Sequence, residues 1–373
     1  MKFHEEAERE ASLEDDARAW FLKMEQGDSE VLQLWKWFVE ISMKEFQRIY
    51  ELLGVTFDFY TGESFYNDKM DRVIQQLKDQ QLLEEDQGAA LIRLEQFDMA
   101  PAIMLKKDGS SLYHTRDVTA AIYRQEAYHF DKAIYLTDYA QNLHFQQWFK
   151  VVELMGYEWA KDLIHVPFGR VSLEGASFST RKGNVIKLEN LLQQAIAKTF
   201  NIIEAKNPEL ENKKQVAEQV GVGAVIFNDL SSNRIKDIVF DWDEVLSFEG
   251  ETGPYVQYTH ARASSILRKA GELQLEFIPD AVLLQGSLEV QVLKRLSMFP
   301  EVIELSLLKL EPSIISRYLV DLAQDFNRFY HDCPIIKQED RSLRAARLTL
   351  VQCVQITLEN GLRLIGLKAP KNI

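Results

Sequence analysis

From about Ser12 to Leu53 apolar residues return at mixed spacings of three and four: Trp20, Phe21 and Met24, then Leu34, Trp35, Phe38, Ile41, Met43 and Phe46. This period predicts two amphipathic helices flanking a break at Gly27-Asp28. The stretch GVTFDFYTGESFY (54–66) is dense in Phe and Tyr and predicts a strand and loop, followed by a helix over Asp68–Leu83. Next, APAIMLKKDGSSLYHTRDVTAAIYRQ (100–125) sets apolar runs on either side of Lys107-Asp108-Gly109-Ser110, a hairpin signal. The second run is expected to end at Thr115, with an Ala-rich helix starting at once and Asp117 in its first turn.

The run KAIYLTD precedes a helix carrying LHFQQWFKVVELMG, and IHVPFGRVSLE leads into the loop FSTRKGNV (178–185). Strands alternating with helices predict a parallel α/β sheet as the core of residues 90–190. Beyond Leu188 the strand signals fade. LENLLQQAIAKTFNIIEAK reads as helix, GVGAVIFNDLSS is ambiguous, and the chain from Tyr255 onward reads almost entirely as helix. There, Tyr318, Leu319, Leu322, Ala323, Phe326, Phe329 and Tyr330 keep one apolar face over three turns. Neither an internal repeat nor a low-complexity linker interrupts the pattern.

At 373 residues and 46% hydrophobic composition, the chain can bury the cores of two or three domains. The net charge of −14 argues against wholesale coating of nucleic acid. That acidity is uneven: residues 255–373 hold 15 Lys and Arg against 13 Asp and Glu, so the excess lies entirely before them. The two cysteines, Cys333 and Cys353, fit no CxxC or Cys/His spacing, so neither a disulfide framework nor a protein-held metal is expected. The charged start MKFHEEAEREASLEDD is unlike a signal peptide, and no apolar run approaches ~18 residues. The expectation is a soluble cytoplasmic protein with no membrane partner.

In a parallel sheet, ligands collect beyond the carboxyl ends of the strands. Tyr113–Asp117, Asp138–His144 and Phe168–Lys182 would ring such a crevice. Asp117 has an ordinary reading as an acidic residue in a first helical turn, and a functional one as a carboxylate for a planar guanidinium beside a Tyr hydroxyl. Gln141 is either a polar helix-start residue or an added amide acceptor, and His144 either a packed histidine or a catalyst. FSTRKG is either a surface connection or an anion site, its hydroxyls, Arg181 and Lys182 suited to phosphate oxygens. The chain has no GxSxG, HExxH, GxGxxG or Walker loop. Chemistry here would work by positioning and charge neutralisation.

The order of several segments closely resembles the arginyl-tRNA synthetases, class I aminoacyl-tRNA ligases. These segments are GESFY (62–66), SLYHTRDVTAAIYR (111–124), QNLHFQQWF (141–149), GYEWA with HVPFGRV (156–171), FSTRKGNVIKLENLL (178–192), SFEGETGPYVQYTHAR (247–262), LAQDFNRFYHDCPI (322–335) and the closing NGLRLIGLKAPKNI. The resemblance implies a partial Rossmann-like catalytic domain followed by a helical anticodon-binding domain of the DALR type. The boundaries it suggests are 1–190 for the catalytic part with its helical insertion, 191–254 for a linking, stem-contact helical region, and 255–373 for anticodon binding.

It also implies roles. Ser179, Thr180, Arg181 and Lys182 match the KMSKS loop that closes over ATP, with Phe178 where Met is usual. Tyr113, Asp117 and Gln141 match the residues that recognise the arginine side chain. His144 and the segment Phe168-Gly169-Arg170-Val171 match adenine and ATP contacts, Arg170 replacing the usual Met. Tyr255, Tyr258, Arg262, Arg341, Arg344 and Arg347 are the expected tRNA contacts. The implied reaction uses ATP with Mg²⁺ to activate L-arginine and transfers it to tRNA(Arg), in an enzyme that is a monomer when complete.

A His-x-Gly-His signature, which the resemblance places upstream of GESFY, is absent. The expectation is therefore a C-terminal part of such an enzyme, with an incomplete ATP crevice and an exposed apolar face, inactive alone. Two alternatives stay open: a non-catalytic tRNA-binding or regulatory module, and a class I synthetase for another amino acid. Asp117 argues against the latter.

Overall fold

The computed structural model describes residues 2–10, 12–107, 110–173 and 187–373. The chain opens with α1 (Lys2–Ala7), α2 (Ser12–Glu25) and α3 (Ser29–Leu53). Then come α4 (Met70–Asp79), β1 (Glu84–Asp86), β2 (Ala89–Ile92), β3 (Ala102–Leu105), α5 (Tyr113–Tyr128), β4 (Ala133–Asp138), α6 (Asn142–Leu154), β5 (Leu163–Phe168) and β6 (Val171–Leu173). The rest is α7 (Leu188–Lys206), α8 (Lys213–Ser231), β7 (Ile238–Phe240), α9 (Trp242–Val245) and α10 (Gly253–Glu272), followed by α11 (Ser287–Ser297), α12 (Phe299–Lys309), α13 (Ser313–Asp332) and α14 (Arg341–Leu364). Contacts divide it into two units. Unit 1 comprises residues 1–56, 171–233 and 238–373, and unit 2 residues 57–170 with 234–237. These units cut across the blocks expected from the sequence, because residues 1–56 group with the C-terminal helices.

The break between α2 and α3 lies where the pattern placed it. The Asp28 carboxylate caps α3 by accepting from the amides of Glu30 (3.0 Å) and Val31 (3.1 Å). Gly54, at φ +70°, ends that helix in the left-handed conformation. Most of the apolar stripe on these helices faces outward: Phe21 and Phe38 are each 58% exposed.

Unit 2 departs from the expected single parallel sheet. β1, β2 and β3 form an antiparallel meander, and β4 pairs with β5 in parallel from Ala133↔Leu163 to Asp138↔Phe168. The reason lies in the connection: Gln87 and Gly88 turn the chain with positive φ, a tight reversal that only antiparallel strands can use. Among the described residues of 54–66 there is no strand. Instead a 3₁₀ turn over Glu63–Lys69 precedes α4. The aromatic side chains there pack on α5: Phe59 against Tyr128 (ring centroids 4.8 Å) and Phe65 against Tyr123 (5.0 Å). Tertiary packing has overridden strand propensity.

The expected hairpin survives only as a bridge between Leu105 and Ser111, with Asp108 and Gly109 outside the described residues. The helix after it starts at Tyr113, earlier than expected, so Asp117 sits in the second turn. The core beneath is built on fully buried Trp148, Met104, Ile92 and Val118.

In unit 1, β6 and β7 pair in parallel, and the ambiguous GVGAVIFNDLSS lies largely within α8. The largest core joins α8, α10, α11, α13 and α14. Along α13, Tyr318, Leu319, Leu322, Ala323, Phe326 and Phe329 are buried as expected, while Tyr330 is 44% exposed.

The C-terminal segment folds back along α10. The Gln257 amide donates to Lys368 O (2.8 Å), and buried His260 bonds through Nδ1 to Pro370 O (2.9 Å). A carbonyl can only accept, so Nδ1 carries the hydrogen and Nε2 faces the Gln355 amide at 2.9 Å as acceptor. Burial pushes this imidazole below its ordinary pKa. A group depressed in the fold favours the neutral form. Its stabilisation is therefore present above the unfolded value of about 6.5 and lost as pH falls through the folded one. Melting temperatures are expected to decline below about pH 6.5, and His260→Gln should remove part of that slope. An unchanged slope in the variant would show that protonation elsewhere is responsible.

Candidate functional site

β4 and β5 end side by side at Asp138 and Phe168, and the groups of interest in unit 2 gather past those ends. Asp138 accepts from the amide of Ala140 (2.8 Å), which turns the chain from β4 into α6. Three residues into α6 stands His144.

Between α5 and α6 runs a two-rung polar ladder. His144 Nε2 lies 2.6 Å from Asp117 Oδ2, and His114 Nε2 lies 3.2 Å from Gln147 Oε1. Each helix contributes an i, i+3 pair, His114 with Asp117 and His144 with Gln147, so one face of each helix supplies both rungs. The Gln147 amide donates to Ala100 O (2.8 Å) and Pro101 O (3.3 Å), which turns its carbonyl oxygen to His114 and makes His114 Nε2 the donor. The two imidazoles lie 4.5 Å apart, centroid to centroid. Burial lowers the pKa of His114 and of His165, which stacks on Phe145 at 4.1 Å and bonds Thr137 at 2.8 Å. Asp117 keeps 40% of its side chain exposed, so a carboxylate fixed on one side remains open on the other.

Other sequence candidates are less gathered. Tyr113 (65% exposed) opens α5 and exposed Gln141 precedes α6; among the described residues neither is hydrogen-bonded to Asp117. Phe168 is 43% exposed. Arg170 is held by Asp138, Nε to Oδ2 at 2.8 Å, with its cation 5.9 Å from the Tyr139 ring. The pair raises the Arg170 pKa and lowers that of Asp138. Val171 begins β6. Ser179, Thr180, Arg181 and Lys182 lie outside the described residues.

Gly169 has a steric reason to be glycine. A Cβ there would come within 2.6 Å of Lys236 C and 2.7 Å of Ile235 O, and the Gly169 amide donates to Arg234 O at 2.7 Å. Backbone cannot yield as a side-chain tip can. Gly169→Ala is therefore expected to destabilise unit 2 by about 1–3 kcal/mol, read as a lower urea midpoint. An unshifted midpoint would mean that the 234–237 segment moves freely.

In unit 1 the expected nucleic-acid contacts separate into two kinds. The Arg262 cation sits 4.9 Å from the Tyr258 ring and 5.2 Å from that of Tyr330, and it bonds Asn327, whose amide also donates to Tyr255 Oη at 2.9 Å. Tyr255, Tyr258, Arg262 and Asn327 border a cavity of about 620 Å³ with Phe248, Lys206 and Ile373, next to a groove of about 1470 Å³ that is lined by Tyr330 and reaches Arg268, Lys337 and Lys371. Aromatic faces beside cations suit stacked bases and phosphates.

The trio on α14 does not form one solvent face. Arg341 is exposed, Arg344 donates to Gln338 O (3.1 Å), and Arg347 is buried, paired with Glu289 at 2.6 Å and donating to Pro334 O at 2.7 Å. The physical reason is helical pitch: residues six apart on a helix point about 120° apart. Arg347 thus cannot serve as the expected phosphate contact. The sequence reading missed His114, Gln147 and Asn327. For the first two the usable signal was the matching i, i+3 spacing in HTRD and HFQQ.

Among the described residues no helix is long and apolar enough to cross a membrane, and no cluster of three or more His, Cys, Asp or Glu is placed to hold a metal ion.

Comparison with known proteins places this geometry. The family tRNA synthetases class I (R), catalytic domain, matches residues 1–242, and the DALR anticodon binding domain matches 256–373. The whole chain is 57% identical to an arginine–tRNA ligase of Alkaliphilus metalliredigens and 54% identical to one of Clostridioides difficile, spanning 66% of each relative's length. Among solved structures, arginyl-tRNA synthetase from Plasmodium falciparum superposes with a TM-score of 0.83 at 25% identity, over 97% of this chain and 62% of that one. The Thermus thermophilus arginyl-tRNA synthetase shares the fold, with a TM-score of 0.84 at 24% identity over 100% of this chain and 68% of that one. The chain belongs to the class I (R) tRNA synthetases and ends in a DALR anticodon binding domain.

Proposed function

We infer that these residues serve an arginine–tRNA ligase, with ATP and its Mg²⁺ as co-substrates and tRNA(Arg) as acceptor. One observation carries the assignment furthest: Asp117, a half-open carboxylate anchored by His144 past the ends of β4 and β5. A planar guanidinium can bond the open side of such a group with two parallel N–H donors. A neutral isostere would leave the carboxylate without a counter-charge. In this reading Tyr113 and Gln141 border the same side-chain pocket, and Phe168, Gly169, Arg170 and Val171 line the nucleotide's approach. Ser179, Thr180, Arg181 and Lys182 supply hydroxyls and cations to the phosphates.

The ligase reaction joins the arginine carboxylate to the α-phosphate of ATP with loss of pyrophosphate, and then passes the aminoacyl group to a ribose hydroxyl of tRNA as the acyl–phosphate bond breaks and AMP leaves. Asp117 orients the amino acid without entering the bond changes. The cavity around Tyr255, Tyr258 and Arg262 and the groove beside it supply the tRNA surface, with exposed Arg341 and partly exposed Arg344 as further contacts. Charging of tRNA by the protein that carries these residues is the test, with labelled arginine, lysine and citrulline in parallel. Arginine alone should be accepted. Charging with lysine at comparable efficiency, or tRNA binding with no charging of any kind, would overturn the ligase reading, the latter in favour of a tRNA-binding module.

A further inference from the structure

Where α10 meets α13, one cation is oriented without being neutralised. We propose that Asn327 is a positioning residue for nucleic-acid binding, fixing the Arg262 guanidinium between the Tyr258 and Tyr330 rings as a flat, fully charged platform for one unpaired base and its phosphate. The assignment rests on the tRNA reading of this surface and adds the reason why an amide stands at position 327.

On α10, Tyr255, Thr259 and Arg262 follow at spacings of four and three, so they share one face, with Tyr258 one turn before Arg262. On α13, Asn327 and Tyr330 are three apart and face them. Arginine can only donate, so the oxygen of the Asn327 amide is turned to Arg262 Nη1. Its nitrogen then donates twice, to Tyr255 Oη at 2.9 Å and to Thr259 Oγ1 at 3.0 Å. The Thr259 hydroxyl gives its own hydrogen to Tyr255 O at 2.9 Å, which leaves its oxygen free to accept. Both ends of the amide are thus engaged, and a flipped amide would set N–H against N–H.

The choice of an amide matters electrostatically. Elsewhere in unit 1, Arg295 is paired with Asp321 (3.1 Å) and Asp325 (2.9 Å), and Arg347 with Glu289. Among the described residues Arg262 has no such carboxylate, and a neutral oxygen takes that place. A carboxylate would orient the guanidinium and also cancel its charge, whereas the amide orients it and leaves the charge for a phosphate. Two exposed tyrosine rings hold the cation at 4.9 and 5.2 Å from their centroids, and the cavity of about 620 Å³ opens beside it. A base can stack on such a plane while its phosphate meets the cation.

Binding of tRNA(Arg) to the full chain, measured between about 50 and 200 mM salt, tests the assignment. Arg262→Gln should weaken binding and lower the slope of log Kd against log salt by about one, the loss of one phosphate contact. Asn327→Asp, nearly isosteric and still an acceptor for Arg262, should lower the slope by about the same amount, because the cation is cancelled in place. Asn327→Ala keeps the charge but frees the side chain, and should weaken binding about three- to tenfold at every salt concentration with the slope intact. In charging assays KM for tRNA should rise by that factor, while kcat at saturating tRNA and KM for arginine hold. Added to Arg262→Gln, Asn327→Ala should weaken binding no further, since the group it positions is gone.

An Asn327→Asp protein that keeps the wild-type affinity and slope overturns the proposal. So do losses from Asn327→Ala and Arg262→Gln that simply add. Should the Ala variant fold poorly, the isosteric Asp variant decides alone. Failure of the underlying tRNA reading looks different: the wild type would not bind tRNA, or Arg262→Gln would bind it as tightly as the wild type.

Discussion

Replacing Asp117 by Asn is expected to lower kcat/KM for arginine by about a hundred- to a thousandfold, the usual cost of removing one partner from a desolvated charge pair. The substitution is nearly isosteric. It keeps an oxygen that can accept from His144 Nε2, so α5 and α6 should stay joined, and unfolding temperature serves as the control. What it removes is the negative charge, and with it the reason for a cation to enter. The loss should fall on arginine and leave KM for ATP nearly unchanged, because no step at the α-phosphate passes through this carboxylate. Pyrophosphate exchange by the ligase, with arginine and ATP varied in turn, separates the two. Unchanged arginine kinetics would remove Asp117 from the pocket and with it the strongest argument for the substrate.

The largest effect on stability is expected at Arg347. Glu289, with 2% of its side chain exposed, accepts from Arg347 Nε at 2.6 Å and from the Gly286 amide at 2.7 Å. Removing Arg347 strands a buried carboxylate and also leaves Pro334 O without its 2.7 Å donor. Breaking such a pair from one side costs about 3–5 kcal/mol, so Arg347→Met should bring the urea midpoint of unit 1 down sharply. Adding Glu289→Gln to it should recover part of the loss, because the neutral amide needs no counter-charge. A double variant no more stable than Arg347→Met would show that the cost comes from lost packing around the Arg347 stem.

Local signals in the sequence survived into the structure wherever they were self-sufficient. Gly27-Asp28 separates two helices because the Asp28 cap and the glycine act within a few residues, and the α13 stripe is buried because its period needs only one facing core. The start of α5 was misplaced for the complementary reason. Its cap position is Leu112, which offers no side-chain acceptor, so nothing local announces the first turn.

The site was half legible. Asp117 and His144 were both singled out, but their contact spans α5 and α6, and the second rung joins residues 33 positions apart. No single-helix pattern contains that information. Arg347 failed similarly: spacing by three suggested a shared face, while a Glu 58 positions earlier draws the cation inward.

The division of the chain also bears on how it comes into being. Unit 1 is discontinuous: α1–α3 precede residues 57–170 along the chain, yet they group with helices beyond residue 170. At ordinary ribosomal synthesis rates the intervening stretch takes on the order of ten seconds to appear. During that interval α1–α3 wait for the later segments of their unit, whereas residues 57–170 can already collapse around Trp148. Assembly is thus ordered from the middle outward: unit 2 can close before unit 1 has all of its parts.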